Sequence, residues 1–322
     1  MISLGIESTA HTYGVGIVDE EKVLSNISHS FKGVGIHPRK AADHHAEFSS
    51  KVLRKALNHA KVSLKEVDVI SFSQGPGMGP CLRIGATVAR TLSLSHRKPL
   101  LGVNHCLAHV EIGRFETKAE DPVTLYVSGG NTQIIAYAGG KYRVFGETLD
   151  IGIGNMQDYF GRQMSLEFPS GRALDELYEK GKYIDGISYL VKGNDFAFSG
   201  CLTSAIKLAQ NERLEDVSRT LLENAFAMVV EATERAMAHT EKEELLLTGG
   251  VAASPVLKRM CKMMCDERGA HFYVPHFSLC RDNGAMIAYQ GLLEFLHGKR
   301  ERLEKTQVRQ KWRVDEVEVL WR

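Results

Sequence analysis

The sequence has almost no net charge, no long apolar run and no pattern of paired cysteines. Lysine and arginine total 40 against 39 aspartates and glutamates, a formal charge of +1 over 322 residues. That balance excludes a broadly basic protein that coats nucleic acid, while leaving room for a local patch that touches RNA. The six cysteines (Cys81, Cys106, Cys201, Cys261, Cys265, Cys280) are scattered, which excludes a disulfide framework and reads as reduced thiols of a cytosolic protein. Cys261 and Cys265 in "CKMMC" share their segment with Met260, Met263 and Met264, the pattern of a buried helix face rather than a metal knuckle. No apolar run reaches the ~20 residues of a membrane-spanning helix. "MISLGIEST" opens as a short strand without a basic flank, so no secretory leader is expected and the expected location is the cytoplasm.

Several motifs are missing as well. No segment matches the phosphate loop G-x-x-x-x-G-K-[ST], and no G-x-G-x-x-G stands between a strand and a helix, which disfavours a P-loop NTPase and a Rossmann dehydrogenase. No Ser-His-Asp set or strongly placed cysteine suggests a covalent intermediate.

What is present is a repeat. "MISLGIESTAHTYGVGIVDEEKVLSN" reads as three strands joined by turns, followed by a helix over "RKAADHHAEFSSKVLRKALNHAKV" and then strand, helix, strand through "PLLGVNH". Near residue 123 the three-strand pattern begins again in "PVTLYVSGGNTQIIAYAGGKYRVFGETL". Two copies of a meander followed by α/β units point to a duplicated α/β fold. The expected division is 1–122 for the first lobe and 123–290 for the second, with 291–322 able to pack back on the first. Residues 150 to 240 read as mostly helical. The basic runs "HGKRERLEK" and "RQKWR" beyond the last helix are of the kind usually found on solvated faces, though this region could touch RNA.

Three strand ends carry loops of glycine and small residues: "GIESTAHTYG", "YVSGGNTQ" and "LTGGVAAS". Glycine lets backbone N–H groups approach an anion, and Ser and Thr add hydroxyl donors. The loops alone suit an ATPase or small-molecule kinase. "NHCLAHVEIG" adds His105 and His109, four apart and so on one helix face, with Glu111 beyond. A lone pair of this kind is more often packing than ligation, and both readings stand on spacing alone. The stretch is not H-E-x-x-H, because Cys106 occupies the general-base position. His44 and His45 in "ADHHAE" point about 100° apart on a helix and make a poor chelate.

The three-loop arrangement resembles the actin, Hsp70 and sugar-kinase ATPase superfamily. Taken in order, "GIESTAHTYG", "NHCLAHVE", "YVSGGNTQ", "LDIGIGNMQDYFGR", "FPSG", "VKGNDFAFSG", "TGGVAAS", "CRDNGAMIAYQG" and "WRVDEVEV" resemble the universal tRNA threonylcarbamoyladenosine transferase family. They are most similar to its archaeal and eukaryotic branch, the catalytic subunit of the KEOPS complex. The resemblance implies transfer of a threonylcarbamoyl group from threonylcarbamoyl-AMP to N6 of adenosine 37 in tRNAs reading ANN codons. It implies one divalent metal, iron ahead of zinc, held by His105, His109, Asp282 and Tyr126, with the first three catalytic. An adenine nucleotide (threonylcarbamoyl-AMP, ATP or AMP) would lie in the cleft on Tyr126, Val127, Ser128, Gly129, Gly130, Asp158, Gly171, Asp175 and Ser254. The implied partners are tRNA and the other KEOPS subunits: a small kinase/ATPase, a dimerising small subunit and a regulatory subunit. The chain departs from the family at three positions: Asp175 stands for the usual Glu, Ser254 for the usual Asn, and Arg172 for a common Pro. A scaffold that needs such partners for activity, and a phosphoryl-transfer enzyme of the same superfamily, are the rival readings; a paired-histidine site argues against Mg²⁺ phosphate chemistry, which prefers carboxylates and water.

Overall fold

The computed structural model describes residues 1–33 and 37–322. It divides into two compact units, Met1–Phe115 with Asp282–Arg322, and Glu116–Arg281. In the first unit the order is β1 (Ser3–Glu7), β2 (Thr12–Val18), β3 (Val23–Ser30), α1 (Pro38–Ala60), β4 (Val69–Gly75), α2 (Gly79–His96), β5 (Leu100–Asn104) and α3 (His105–Thr117). The second unit holds β6 (Val123–Val127), β7 (Thr132–Ala138), β8 (Lys141–Glu147), α4 (Ile153–Gln163), α5 (Gly171–Tyr178), the short pair β9 (Val191–Lys192) and β10 (Asp195–Phe196), and α6 (Ser199–Leu208). It continues with α7 (Leu214–Thr240), β11 (Glu244–Thr248), α8 (Pro255–Arg268), β12 (His271–Tyr273) and α9 (Phe277–Cys280). The closing helix α10 (Gly284–Leu296) belongs to the first unit.

The two main sheets have the same plan. One runs β3-β2-β1-β4-β5 and the other β8-β7-β6-β11-β12. In each, the first three strands of the unit pair antiparallel and the remaining two add parallel on the other side of the first strand. The parallel strands need crossovers, which α1 and α2 supply in the first unit and the helical segment from α4 to α8 in the second. Both β1 and β6 are buried along their whole length, as strands covered on two faces are. Each unit has its own apolar core, one around Leu4, Ile17, Phe72 and Leu100 and one around Leu125, Phe160, Phe226 and Leu247.

The expected boundary at 290/291 is corrected by α10. The chain returns to the first unit at Asp282, and α10 packs on β1, β2 and β4. The cause is a line of glycines. A Cβ on Gly14 would stand 2.9 Å from Gly284 N, and Cβ atoms on Gly5 and Gly16 would collide with the backbone of Ala288 and Ala285. Only a strand without side chains at these positions admits a helix backbone so close. The first boundary falls at Phe115, within α3, rather than at the expected 122/123.

The "CKMMC" helix face is buried through Cys261, Met264 and Cys265, while Met263 is 57% exposed and faces out. The basic C-terminal runs are held down rather than free. Lys299 pairs with buried Glu294 at 2.6 Å, Arg300 lies over the Phe295 ring, and Arg309 lies over Trp312. Gln74 Nε2 donates to the carbonyls of Lys305 and Gln307, and Arg309 N donates to the Gln74 carbonyl. Among the described residues, no helix is long and apolar enough to cross a membrane.

Candidate functional site

In the first unit the site begins where β5 becomes α3. Asn104 ends the strand, and its Oδ1 accepts from Leu107 N at 3.1 Å, capping the helix so that His105 is its first residue. His109 follows one turn later, and the two imidazole rings lie 4.8 Å apart, edge to face. Asp282 arrives from the other end of the unit. Asn283 beside it caps α10, its Oδ1 accepting from Met286 N at 3.0 Å, and the glycine-mediated seat of α10 on β1 fixes where Asp282 stands.

Asp282 Oδ1 is 3.5 Å from His105 Nε2 and 3.4 Å from His109 Nε2. A tetrahedral site with bonds of about 2.1 Å has edges of about 3.4 Å, so both separations suit a shared ion. The three side chains offer ligand atoms all within 4.8 Å of one another, and they are the group among the described residues that could hold a metal ion. Both histidines are buried. Two imidazole nitrogens and a carboxylate oxygen form a donor set that fits a divalent transition metal.

The electrostatics are shaped by Glu7, which is buried at the end of β1. Its Oε2 lies 2.9 Å from His105 Nδ1, while Oε1 accepts from Thr9 N at 2.6 Å and from Thr9 Oγ1 at 2.5 Å. Burial by itself would lower the His105 pKa, but the charge and hydrogen bond of Glu7 and the charge of Asp282 push it up to about 9. Burial holds His109 below the ordinary imidazole value against its bond to Asp282. Burial also opposes ionisation of Asp282, yet the His109 bond and the His105 charge keep that carboxyl well below the usual range. Cys106 is a packed thiol whose pKa burial raises, and Glu111 is buried in a structural role, bound to Arg114 at 2.6 Å and Trp321 Nε1 at 2.8 Å.

In the second unit, β6 and β11 are parallel neighbours in register Tyr126 to Thr248, so both glycine loops leave the sheet at the same edge. Tyr126 and Val127 are buried at the end of β6, while Ser128 is half-buried and Gly129 and Gly130 are exposed. The N–H groups of Gly129 and Gly130 make no bond among the described residues, whereas the carbonyls of Ser128 and Gly129 receive Gly154 N and Asn155 N at the start of α4. Gly249, at φ +98°, turns the second loop; a Cβ there would strike the Val127 carbonyl. Asp158 on α4 accepts from Ser170 N at 2.8 Å, just before Gly171 opens α5. Asp175, one turn along α5, accepts from Ser254 Oγ at 2.6 Å, and Ser254 also caps α8 by accepting from Leu257 N at 3.4 Å. Burial, partly opposed by the Ser254 bond, pushes Asp175 up to about 6. Arg172 is exposed and pairs with Glu176 at 3.0 Å, one turn apart on the surface of α5.

The structure therefore brings His105, His109 and Asp282 together, and separately gathers the 126–130 loop, Asp158, Gly171, Asp175 and Ser254 within the second unit. Tyr126, the fourth ligand that the resemblance implies, stands at the buried end of β6 in the second unit. Sequence reasoning missed the bond of Glu7 to His105, because nothing in spacing predicts a pairing across 98 positions. It also missed His29, whose Nδ1 lies 2.6 Å from His44 Nε2, in a chain that continues through His45 to the Ala10 carbonyl.

Comparison with known proteins adds an independent line. The TsaD family model, described as tRNA N6-adenosine threonylcarbamoyltransferase, matches residues 18–289. A tRNA N6-adenosine threonylcarbamoyltransferase of Thermococcus sibiricus is 56% identical over 327 aligned positions, covering 100% of both chains. A Methanocaldococcus jannaschii protein named "Probable bifunctional tRNA threonylcarbamoyladenosine biosynthesis protein" is 53% identical over 100% of this chain and 60% of its own. Among solved structures, HypF of Thermococcus kodakarensis matches with TM-score 0.63 at 13% identity, over 95% of this chain and 49% of that one. The ROK hexokinase of Thermus thermophilus matches with TM-score 0.54 at 15% identity, over 92% of this chain and 100% of that one. At such identities these two likenesses concern the fold alone, the duplicated actin-, Hsp70- and sugar-kinase-like α/β architecture expected from the repeated meander.

Proposed function

The chain belongs to the tRNA N6-adenosine threonylcarbamoyltransferase family, and from that footing we propose how its own residues serve the reaction. It is a transferase acting on tRNA; the observation that carries this is identity of 56% with a named transferase over the whole of both chains. The finer reading is that threonylcarbamoyl-AMP is the donor and N6 of adenosine 37, in tRNAs reading ANN codons, the acceptor.

In this reading the exocyclic amine attacks the carbamoyl carbon, the bond from that carbon to the phosphate oxygen breaks, AMP leaves, and the proton lost by the amine passes to the released phosphate or to water. The mixed anhydride is already activated, so orientation and charge stabilisation are what the protein supplies. The N–H groups of Gly129 and Gly130 are available to the leaving phosphate. Asp158 and Asp175 accept from ribose hydroxyls. Ser254 spends its single proton on Asp175, so toward a nucleotide it acts by accepting. His105, His109 and Asp282 would hold the divalent metal, iron ahead of zinc. When bound, that ion supplies a Lewis acid that orients and polarises an acyl oxygen. Partners are proposed from the family resemblance: a small kinase/ATPase, a dimerising subunit and a regulatory subunit. With near-zero net charge, this chain leaves much of the tRNA affinity to them.

The test is transfer of labelled threonylcarbamoyl from supplied adenylate to an ANN-decoding tRNA, with those partners present. Wild type is expected to transfer and His109→Ala to lose at least about a hundredfold. Transfer unchanged by His109→Ala would remove the metal from the mechanism. A wild type that instead transferred phosphate from ATP with Mg²⁺ would replace the reading with a kinase.

A further inference from the structure

We infer that Glu7 is a positioning residue that fixes the His105 tautomer, so that Nε2 rather than Nδ1 carries the lone pair offered toward His109 and Asp282. The inference rests on the metal reading above and concerns how the ligand set is held.

Every hydrogen atom around Glu7 is determined by what its neighbours can do. Thr9 N is a backbone donor and cannot accept, so the atom 2.6 Å from it must be an acceptor, and that atom is Glu7 Oε1. Thr9 Oγ1 donates to the same oxygen. The second oxygen, Oε2, faces His105 Nδ1 at 2.9 Å, and an ionised carboxylate only accepts, so Nδ1 bears the ring proton. That leaves Nε2 unprotonated in the neutral ring, and Nε2 is the atom 3.5 Å from Asp282 Oδ1. A carboxylate behind a ligating imidazole fixes ring orientation and raises ligand basicity.

The geometry makes an unusual demand of the isosteric variant Glu7→Gln. Thr9 N can be satisfied only by the Gln carbonyl oxygen, so the Gln amide nitrogen is driven to face His105 Nδ1. An NH₂ group there donates, Nδ1 must accept, and the ring proton moves to Nε2, the ligand atom. Flipping the amide sets two donors against each other at Thr9 N instead. The nearly isosteric change should therefore harm metal binding more than Glu7→Ala, whose void admits a water able to donate or accept. A role confined to packing would give the opposite order.

The experiment is Zn²⁺ binding to the full chain, measured in a competing-chelator titration, for wild type, Glu7→Gln and Glu7→Ala, with Tm recorded for each. The expected order of affinity is wild type, then Ala, then Gln, with Gln weaker than wild type by about ten- to a hundredfold. ¹⁵N NMR of the Zn²⁺-loaded wild type should show His105 protonated at Nδ1, a readout that needs no variant. Gln equal to wild type, or clearly tighter than Ala, overturns the inference, as does a wild-type His105 bound through Nδ1. A wild type that binds no Zn²⁺ and no Fe²⁺ overturns the metal reading and this inference with it.

Discussion

Ser254 Oγ donates to Asp175 Oδ1 at 2.6 Å, so two of the residues expected to face the nucleotide are bonded to each other. The resemblance implies Glu and Asn at these positions, so the pair here would be one methylene shorter on one side and carry a hydroxyl in place of an amide on the other. Substitution at either position therefore bears on the other, and Ser254 keeps a second task as the cap of α8.

Coupling of this kind is measurable. Asp175→Glu alone crowds Ser254, and Ser254→Asn alone crowds Asp175, so each single variant is expected to weaken AMP binding. The double variant should recover most of the loss, with an interaction energy of about 1 kcal/mol in a double-mutant cycle by calorimetry. Additive losses would show the two positions to be independent.

Asp175 also gives a pH signature. Its folded pKa of about 6 is raised above the ordinary carboxylate value of 3.8, chiefly by burial. A raised folded pKa favours the neutral form in the folded state, so this term supports stability at low pH and is lost as pH rises through about 6. Asp175→Asn, which still accepts from Ser254, should raise Tm at pH 7.5 and leave it unchanged below pH 4. Adenosine, which has no phosphate to titrate in this range, should bind wild type less tightly as pH drops through 6, because the ionised carboxylate is the stronger acceptor for ribose hydroxyls. The Asn variant should show a flat profile.

Metal binding should be proton-linked. His105 is held at about 9 by Glu7 and Asp282 against the effect of burial, so below that pH the metal-free site carries an extra proton on the ring. Binding must expel it. Zn²⁺ affinity is expected to rise about tenfold per pH unit from 7 toward 9 and then level, with close to one proton released at pH 7. A pH-independent affinity over that range would contradict the charge state assigned to His105.

The seat of α10 can be broken by one methyl group. Gly16→Ala places a Cβ against the backbone of Gly284 and Ala285, where no side chain can yield. The expected loss is about 2–3 kcal/mol or more, read from chemical denaturation, together with a fall in Zn²⁺ affinity because Asp282 moves with the helix. Ala at exposed Gly140, in the turn between β7 and β8, meets nothing within 4 Å and should leave metal affinity unchanged.

Much of this protein is legible in its sequence. The repeated meander, the glycine loops at strand ends and the helix that carries His105 and His109 all follow from local periodicity and turn chemistry, which act between residues a few positions apart. The family motifs, read in order, identify the activity. The duplicated plan shows in the matching strand orders of the two main sheets.

Tertiary structure alone decided which distant groups meet. It returned α10 to the first unit, because glycines at 5, 14, 16 and 284 let two backbones touch, and so delivered Asp282 to a pair of histidines the nearer of which lies 173 positions before it. It set Glu7 behind His105 and Ser254 on Asp175, and in doing so fixed a tautomer and two shifted pKa values. Hydrogen-bond partnership and desolvation depend on separations of a few ångströms in space, and spacing along the chain carries no record of them.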